Sequence, residues 1–406
     1  MFDAIVVGAR CAGSPLAMLL ARKGYRVLVV DKAIFPSDTI STHHIHQPGV
    51  KKLKDWGILD KVRASNCPPM TKYRFDVGPF ALKGDATPAG EVKESYVPRR
   101  RILDTILAES AVEAGAEFRD GFTVTELLWN GDRVAGIRGH DKNGVIVTEK
   151  AKIVIGADGA HSFVAKSVKA PILIDRGLFT CSYYSYFSNV PLEATELYVR
   201  PDHGFVADST NDGLTMVVGI WKQSEFQRVR SNIEAAFMKS LDEQAPHLAE
   251  RIREGKREEP FYGTGIIPNF IRKSYGAGWA LVGDAAYHKD PVTAQGITDS
   301  FTHAEMLAEA IDDAFSGVCE LEESLADYEQ RRNEKIMPMF EYTCQLAQLA
   351  APPPEMQMLF AALRENKRET ARFFGTVAGT VPVQEFYSPE NISRIVPSSS
   401  ATSLAI

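Results

Sequence analysis

The sequence predicts an α/β fold whose second part is α+β, and three observations carry this prediction. Residues 2–7 and 25–30 form continuous runs rich in β-branched side chains, and the segment between them has apolar residues at helical spacing. Such runs are typical of parallel strands that are buried on both faces. Residues 172–221 form long strand-like stretches rich in aromatic side chains, which predict a separate sheet. Most of the sequence after residue 295 has helical spacing.

A glycine turn joins the first two runs, because Gly8 follows the first strand and Gly13 opens the helix. In a dinucleotide-binding βαβ unit, the first glycine makes the tight turn, the last lets helix and strand pack closely, and the helix amino end faces a pyrophosphate. Asp31, which closes the second strand, would accept hydrogen bonds from a ribose. Arg10 stands where a middle glycine usually lets the backbone approach the phosphates, so an ordinary strand-to-helix turn remains the alternative. We expect the Arg10 side chain to point away from the pyrophosphate, toward the far side of the bound dinucleotide or toward a carboxylate.

The remaining elements follow from periodicity and turn residues. Further strands are predicted at residues 73–77, 80–82, 122–148 (a three-stranded antiparallel meander), 152–155, 261–267 and 279–282. Further helices are predicted at residues 48–57, 100–114, 233–241, 246–252, 295–315 and 321–349, the last bent at Pro338, with shorter helices to about residue 376. The serine-rich tail from residue 397 to 406 is expected to be loose.

Composition limits the class of protein. With 406 residues the chain exceeds a usual single core, which favours two packed domains. A formal charge of -6 argues against nucleic acid as a partner. The absence of an apolar run of roughly 20 residues predicts no transmembrane segment, and the amino terminus lacks the pattern of a signal peptide. The cysteines show neither metal-ligand spacing nor a disulfide framework, which favours a reducing cytoplasm: Cys11, Cys67, Cys181, Cys319 and Cys344.

Two further glycine and aspartate motifs follow predicted buried strands. The second is Gly156-Ala157-Asp158-Gly159-Ala160-His161-Ser162, and the third runs from Gly283-Asp284-Ala285-Ala286 to Gln295-Gly296-Ile297. With the turn at Gly8, the three motifs in this order resemble the FAD-dependent oxidoreductases of the para-hydroxybenzoate hydroxylase and geranylgeranyl reductase type. The resemblance covers roughly residues 2–316.

The resemblance implies a Rossmann-like FAD-binding domain, a mixed-sheet substrate domain and C-terminal helices. The domains it implies are residues 1–75, 97–170 and 270–320 for a discontinuous FAD-binding domain, residues 76–96 and 171–269 for the substrate sheet, and residues 321–396 for a helical region.

The first motif would hold one end of FAD. By the resemblance, the FAD diphosphate lies on the turn that contains Gly8, Ala12 and Gly13, and the adenosine ribose lies on Asp31 with Lys32 beside it.

Arg100 matches a family arginine that opens a helix beside the cofactor. A guanidinium group at a helix amino end can pair with phosphate or ribose oxygens. A solvated charge within the basic triplet 99–101 is the alternative.

The second and third motifs would hold the rest of the cofactor. Asp158 belongs to a family motif associated with both FAD and the nicotinamide donor, and a plain Asp-Gly turn capped by Ser162 is the alternative. Gly283 and Asp284 match the residues that bind the ribityl chain.

The helix that begins after Ala294 would face the flavin pyrimidine ring. Its residues Gln295, Gly296 and Ile297 would present free N–H groups and the positive end of the helix dipole, which stabilise the negative charge of reduced flavin. A helix start that merely packs is the alternative.

The loop after Asp31 and the segment around Pro291 supply the candidates to lie near the isoalloxazine ring of the flavin. Three histidines lie close together in the loop after Asp31, but no fourth ligand is nearby, so no metal is predicted. The resemblance brings this loop under the isoalloxazine ring, so His44 and His46 are candidates to touch flavin or substrate, together with Pro291. Polar loop residues without such a role are the alternative for both histidines. Asp290-Pro291 is more like the reductase and halogenase branch, whereas Gln295-Gly296 is more like the hydroxylases.

The resemblance implies an FAD-dependent monooxygenase that takes hydride from NAD(P)H and hydroxylates a small aromatic or polyketide-like substrate through a flavin hydroperoxide. The substrate partner would be a small apolar or aromatic molecule. The first alternative is an FAD-dependent reductase of isoprenoid double bonds. A flavin halogenase and a non-enzymatic escort protein on the same fold are further alternatives. The choice between NADH and NADPH and the oligomeric state stay open.

Overall fold

The computed structural model describes residues 1–396 as an assembly of three sheets and surrounding helices. The strands are β1 (Phe2–Val7), β2 (Val27–Val30), β3 (Lys72–Asp76), β4 (Ala81–Asp85), β5 (Glu117–Arg119), β6 (Thr123–Asn130), β7 (Arg133–His140), β8 (Ile146–Gly156), β9 (Ile172–Leu178), β10 (Thr180–Ser188), β11 (Thr195–Arg200), β12 (His203–Ser209), β13 (Thr215–Lys222), β14 (Lys256–Arg257), β15 (Tyr262–Thr264), β16 (Pro268–Arg272), β17 (Tyr275–Gly276), β18 (Trp279–Leu281) and β19 (Tyr287–His288).

The helices surround the sheets and also close the described part of the chain. They are α1 (Gly13–Arg22), α2 (Gln47–Asp55), α3 (Leu59–Ala64), α4 (Arg100–Glu113), α5 (Phe163–Ser167), α6 (Phe226–Ser231), α7 (Ile233–Gln244), α8 (Pro246–Glu254), α9 (Gly296–Phe315), α10 (Leu321–Leu346), α11 (Pro354–Arg364), α12 (Lys367–Ala378), α13 (Val383–Phe386) and α14 (Pro389–Ile395). Helices therefore continue well past residue 376, where the sequence pattern had placed the last of them.

The first sheet has a parallel centre in the order β18-β8-β1-β2-β5. Its strands are buried on both faces, as the continuous apolar runs predicted. The three glycine motifs follow β1, β8 and β18 in turn. Because the carboxyl ends of parallel strands meet at one edge, the sheet brings all three motifs together. The predicted Rossmann-like α/β fold is confirmed.

β8 corrects one sequence-based prediction. The third strand of the meander and the buried strand at residues 152–155 are a single strand, Ile146–Gly156. Its first half pairs antiparallel with β7 and alternates between exposed and half-buried residues, and its second half pairs parallel with β1 and is buried. No turn residue separates the two halves, so the ladder continues from one sheet region into the other.

The second sheet has the order β14-β10-β13-β12-β11-β3-β4, with β15 beside β10. The prediction that residues 172–221 form one sheet is wrong for β9, which instead pairs with β16 in a separate three-stranded sheet. β9 is mostly exposed, whereas β10 is buried along nearly its whole length.

The domain division remains a proposal, and we place its first boundary before Lys72. The expected boundary at residue 75 falls inside β3, which pairs with β11 of the second sheet. The helical region from residue 321 is also shared, since Leu325 and Tyr328 of α10 join the core of the first sheet while Phe360 and Phe373 pack against β3 and β4. Residues 397–406, expected to be loose, lie outside the described residues. Among residues 1–396, none of the helices is both long and apolar enough to cross a bilayer.

Candidate active site

A cavity of about 640 Å³ lies at the carboxyl edge of the first sheet and reaches the second sheet. Most of the predicted site residues line it: Gly8, Ala12, Asp31, Lys32, Arg100, Asp158, Gly283, Asp284, Pro291, Gly296 and Ile297. Four others do not: Gly13, His44, His46 and Gln295. A second cavity of about 740 Å³ lies around Arg133, Lys152 and Phe315 and contains none of the predicted residues.

Glycine lets the three motifs approach one another closely. A Cβ atom on Gly8 would lie 2.3 Å from the carbonyl oxygen of Ala157 in the second motif. A Cβ atom on Gly283 would lie 2.7 Å from the Cβ atom of Ala12, so the third motif packs on the first. Gly13 contributes by packing, since a Cβ atom there would lie 1.8 Å from the Gly8 carbonyl oxygen. The three motifs are thus one packed unit.

Asp31 closes one end of the cavity. Its Oδ2 atom accepts a hydrogen bond from the Ala9 N–H at 2.8 Å, and its Oδ1 atom accepts one from the Ala33 N–H at 2.8 Å. Each carboxylate oxygen has a second lone pair, so both can also accept hydrogen bonds from ligand hydroxyl groups. Lys32 is exposed at the edge of the cavity.

Asp104 holds two arginines at the cavity wall. The Arg10 guanidinium donates to Asp104 Oδ2 at 2.5 Å and to Ser37 Oγ at 2.9 Å. The Arg100 Nε donates to Asp104 Oδ1 at 3.0 Å. The prediction that Arg10 reaches a carboxylate is confirmed. Sequence reasoning gave Asp104 no role, although its spacing of four residues from Arg100 in a helix indicates a pair.

Arg100 has hydrogen-bond donors that remain available to a ligand. Within residues 1–396, only its Nε makes a hydrogen bond, and the four N–H groups on its terminal nitrogens have no partner. Because the side chain lines the cavity and is paired with Asp104 from behind, these donors are available to an anionic group.

Asp158 has one free oxygen. Its Oδ2 atom accepts hydrogen bonds from the N–H groups of Phe163 and Val164 at 2.7 and 3.1 Å, while its buried Oδ1 atom has no partner in the described part of the chain. Burial raises the pKa of this carboxyl group. Ser162 Oγ accepts the Ala165 N–H at 2.9 Å and caps α5, as predicted. A buried acceptor without a partner favours a bound donor at this point.

The third motif places a free carboxylate and a free helix end in the same cavity. Asp284 is exposed within the wall, and among the described residues it makes no hydrogen bond through its side chain. α9 begins at Gly296 without a side-chain cap, so the first N–H groups of this 20-residue helix are unpaired. A planar acceptor or an anionic group fits this end of the helix.

Residues 1–342 match the family model described as an FAD-binding domain. The chain belongs to this FAD-binding family. It is similar to digeranylgeranylglycerophospholipid reductase 1 of Methanopyrus kandleri, with 25% identity over 392 residues that cover 92% of this chain and 97% of the relative. It is also similar to the digeranylgeranylglycerophospholipid reductase of Methanosarcina acetivorans, with 28% identity over 397 residues that cover 92% of this chain and 91% of the relative.

Solved structures agree on the fold. A flavoprotein/dehydrogenase from Cytophaga hutchinsonii has a TM-score of 0.83 at 18% identity and covers 98% of this chain and 100% of its own. The myxobacterial chondrochloren halogenase has a TM-score of 0.78 at 20% identity and covers 97% of this chain and 95% of its own. The predicted superfamily is confirmed, and the chain is a member of an FAD-dependent oxidoreductase family.

The cavity fits FAD by the chemistry of its walls. The unpaired donors of Arg100 suit a diphosphate, and the uncapped start of α9 suits the pyrimidine ring. The partner-free oxygens of Asp158 and Asp284 and the remaining lone pairs of Asp31 suit hydroxyl groups. We propose that these residues contact the cofactor.

Gln295 faces away from the cavity. Its side-chain amide donates to the carbonyl oxygen of Val377 at 2.5 Å, at the carboxyl end of α12. Its side chain thus holds the start of α9 against the C-terminal helices. We propose that Gln295 contributes to cofactor binding through its backbone.

Pro291 lies in the cavity wall at the start of a short 3-10 turn, Pro291–Thr293. Asp290 caps this turn by accepting the Val292 N–H at 3.2 Å, and it also accepts the Thr180 hydroxyl at 2.6 Å. Burial raises the pKa of Asp290 to about 6. The turn is therefore tied to β10 of the second sheet.

The structure brings neither His44 nor His46 to the cavity. Both rings are buried, and they lie 4.3 Å apart between centroids. His44 Nδ1 lies 3.3 Å from Asp208 Oδ2, and His46 Nε2 donates to the carbonyl oxygen of Thr293 at 3.0 Å. His46 thus supports the turn that carries Pro291. Among residues 1–396, no group of three or more histidine, cysteine or acidic side chains is arranged to hold a metal ion.

Buried histidines predict an acid-sensitive fold. Burial lowers the pKa of His43 to about 3, and burial also lowers the pKa values of His46 and His303. Since the unfolded chain binds protons below about pH 6.5, each such histidine should remove about 2 kcal/mol of the free energy of unfolding between pH 7 and pH 5. Urea unfolding at the two pH values measures this loss. His43→Phe should make this pH-dependent loss of stability smaller. His247→Gln, a control at an exposed histidine, should leave the loss as it is in the wild-type protein. An equal loss in the wild-type protein and both variants would show that buried His43 does not cause it.

Proposed function

We propose that this chain is an FAD-dependent monooxygenase that uses NAD(P)H and O2 to hydroxylate a small aromatic substrate. The proposal rests on the wall that faces the cofactor end of the cavity. Ser182 and Tyr184 of β10 and Val218 of β13 line the same cavity as the glycine motifs. A substrate on this wall would lie beside the proposed flavin position.

The size and polarity of the wall favour a compact substrate. Tyr183 and Phe187 point to the opposite face of β10, where they pack in the core with α7 and α8. The cavity-facing side instead mixes a hydroxyl group, a phenol and an aliphatic side chain, with Thr264 beside them. This mixture suits an aromatic ring that carries polar groups better than a long apolar chain.

Bound FAD would supply hydride uptake and oxygen transfer. The chain's own residues would exclude water from the cavity and fix the position of the substrate relative to the flavin. Tyr184, Val218 and Ile267 are nearly fully buried around the cavity and would keep solvent from the reacting centre. The turn at Pro291 would set the distance between ring and substrate. The free cysteines Cys11, Cys67, Cys181, Cys319 and Cys344 fit the cytoplasmic location that we include in the proposal.

A flavin reductase of isoprenoid double bonds is the second candidate. It is favoured by the similarity to two enzymes named as digeranylgeranylglycerophospholipid reductases, which extends over 92% of this chain in both cases. Asp290-Pro291 also fits that branch.

The test of the proposed reaction compares oxygen use with double-bond reduction. Purified protein loaded with FAD is given NADH or NADPH with a panel of phenols and aromatic acids, and separately with a geranylgeranyl lipid under anaerobic conditions. We expect an aromatic compound to stimulate equal consumption of NAD(P)H and O2 and to gain one oxygen atom by mass spectrometry. Anaerobic saturation of the geranylgeranyl lipid, without oxygen gain by any aromatic compound, would contradict the proposal.

Tyr184 provides a matched test of the substrate wall. Tyr184→Leu should raise the KM of the accepted aromatic substrate by about tenfold, equivalent to about 1.4 kcal/mol of binding. Tyr183→Leu changes the neighbouring residue on the opposite face and should leave KM unchanged. An equal rise in both variants would place the substrate elsewhere.

A further inference from the structure

A buried ion pair lies in the wall of the same cavity. The Lys289 side chain is 3% exposed, and its ammonium group pairs with Asp299 and donates to the Tyr287 hydroxyl at 2.8 Å. All three residues line the cavity. Lys289 precedes Pro291 by two residues, and Asp299 lies in the first turn of α9. Sequence reasoning gave neither charged residue a role.

Other titratable groups line the same part of the cavity as the pair. His303, one turn further along α9, also lines the wall, and its buried Nδ1 has no partner within residues 1–396. Burial, and then the charges of Arg332 and Lys289, lower the pKa of His303, so its ring is neutral. Burial raises the pKa of Tyr287, so its hydroxyl stays protonated. Asp284 and Asp290 are the other charged residues of the third motif in this wall, and Arg100 lines the same cavity.

A purely structural role does not explain this placement well. Removing two charges from water costs several kcal/mol for each ion, and an apolar pair of similar volume is often as stable. Here the pair faces a cavity and lies beside the helix start that we propose for the pyrimidine ring. Asp299 follows Gly296 by three residues, which corresponds to about 4.5 Å along the helix axis. A charge one turn from the helix start interacts with a group bound there, because screening is weak in a protein interior.

We propose that the Lys289–Asp299 pair sets the reduction potential of the bound flavin. The positive charge of Lys289 favours the negative charge of the reduced ring, and Asp299 opposes it and keeps Lys289 in place. The measured potential would reflect the balance of the two charges. This inference rests on the flavin position in the proposed function, but it does not depend on whether the enzyme hydroxylates or reduces its substrate.

The test measures the midpoint potential of FAD-loaded protein by equilibration with redox dyes, without substrate and without O2. Lys289→Met should shift the potential to a lower value, because it leaves the Asp299 charge uncompensated. Asp299→Asn should shift it to a higher value, because it leaves the Lys289 charge. The double variant should return close to the wild-type potential.

Lys52→Met is the matched control. Lys52 also pairs with a carboxylate of α9, Glu305, but neither residue lines the cavity. Shifts of the same sign in both single variants, or shifts no larger than that of Lys52→Met, would overturn the proposal. If Lys289→Met does not retain FAD, Asp299→Asn decides the question alone, since it keeps the side-chain shape and must raise the potential. Failure of the hydroxylation assay would leave these shifts unaffected, so the two proposals fail separately.

Discussion

Replacing Asp104 with leucine is expected to lower the free energy of unfolding by about 3–5 kcal/mol and to remove most FAD binding. Asp104 is fully buried and is the shared partner of Arg10 and Arg100. The leucine side chain has a similar size, but it leaves the buried Arg100 charge without a carboxylate, and it removes the carboxylate of α4 that holds the Arg10 side chain. Denaturant unfolding and titration of the apoprotein with FAD measure the two effects.

Asp327→Leu is the control for this change. Asp327 pairs with Arg331 at the same four-residue spacing in a helix, but both side chains are largely exposed. Exposed pairs contribute little, so the control should change stability by no more than about 0.5 kcal/mol and should leave FAD binding intact. Similar losses in both variants would show that Asp104 does not organise the site.

Gly8→Ala should yield protein without bound flavin. The new Cβ atom would lie 2.3 Å from the Ala157 carbonyl oxygen, so the first and second motifs must separate. Overpacking of this kind costs about 1–3 kcal/mol, and the positive φ of +108° adds strain for alanine. The absorbance spectrum of the purified variant and its denaturation midpoint test this expectation.

Gly115→Ala is the control that separates the effect of backbone strain from the effect of steric contact with the second motif. Gly115 has a φ of +104°, close to that of Gly8, but a Cβ atom there meets nothing within 4 Å. The control should lose about 1 kcal/mol of stability from strain alone and should keep its flavin. If Gly8→Ala and Gly115→Ala lost equal amounts of flavin, the close approach of the first and second motifs could not be the cause of the loss.

The meeting of the three glycine motifs could be predicted from the sequence because it follows from sheet topology. Three motifs that each follow a parallel strand must meet at one edge, whatever the intervening chain does. The pairing of Arg10 with a carboxylate was also predictable, since a guanidinium group so close to a buried strand end needs a partner.

Other features depended on partners far away in the sequence. The side chain of Gln295 turns to Val377, and His46 turns to Thr293, and neither direction can be derived from local periodicity. The placement of β9 outside the second sheet depends on its pairing with β16, about a hundred residues later in the chain. The Lys289–Asp299 pair was missed because two opposite charges near a helix start are common on exposed surfaces, and only burial distinguishes this pair.

A crystal structure of the FAD complex would show whether the three motifs hold the cofactor together. We expect the diphosphate between the Gly8 turn and Arg100, with Arg10 still bound to Asp104, and the pyrimidine ring at the first N–H groups of α9 near Gly296. We also expect open space between the flavin and Tyr184 for a substrate. Density for FAD outside this cavity, or an Arg10 guanidinium group in the position assigned to the diphosphate, would contradict this placement of the cofactor.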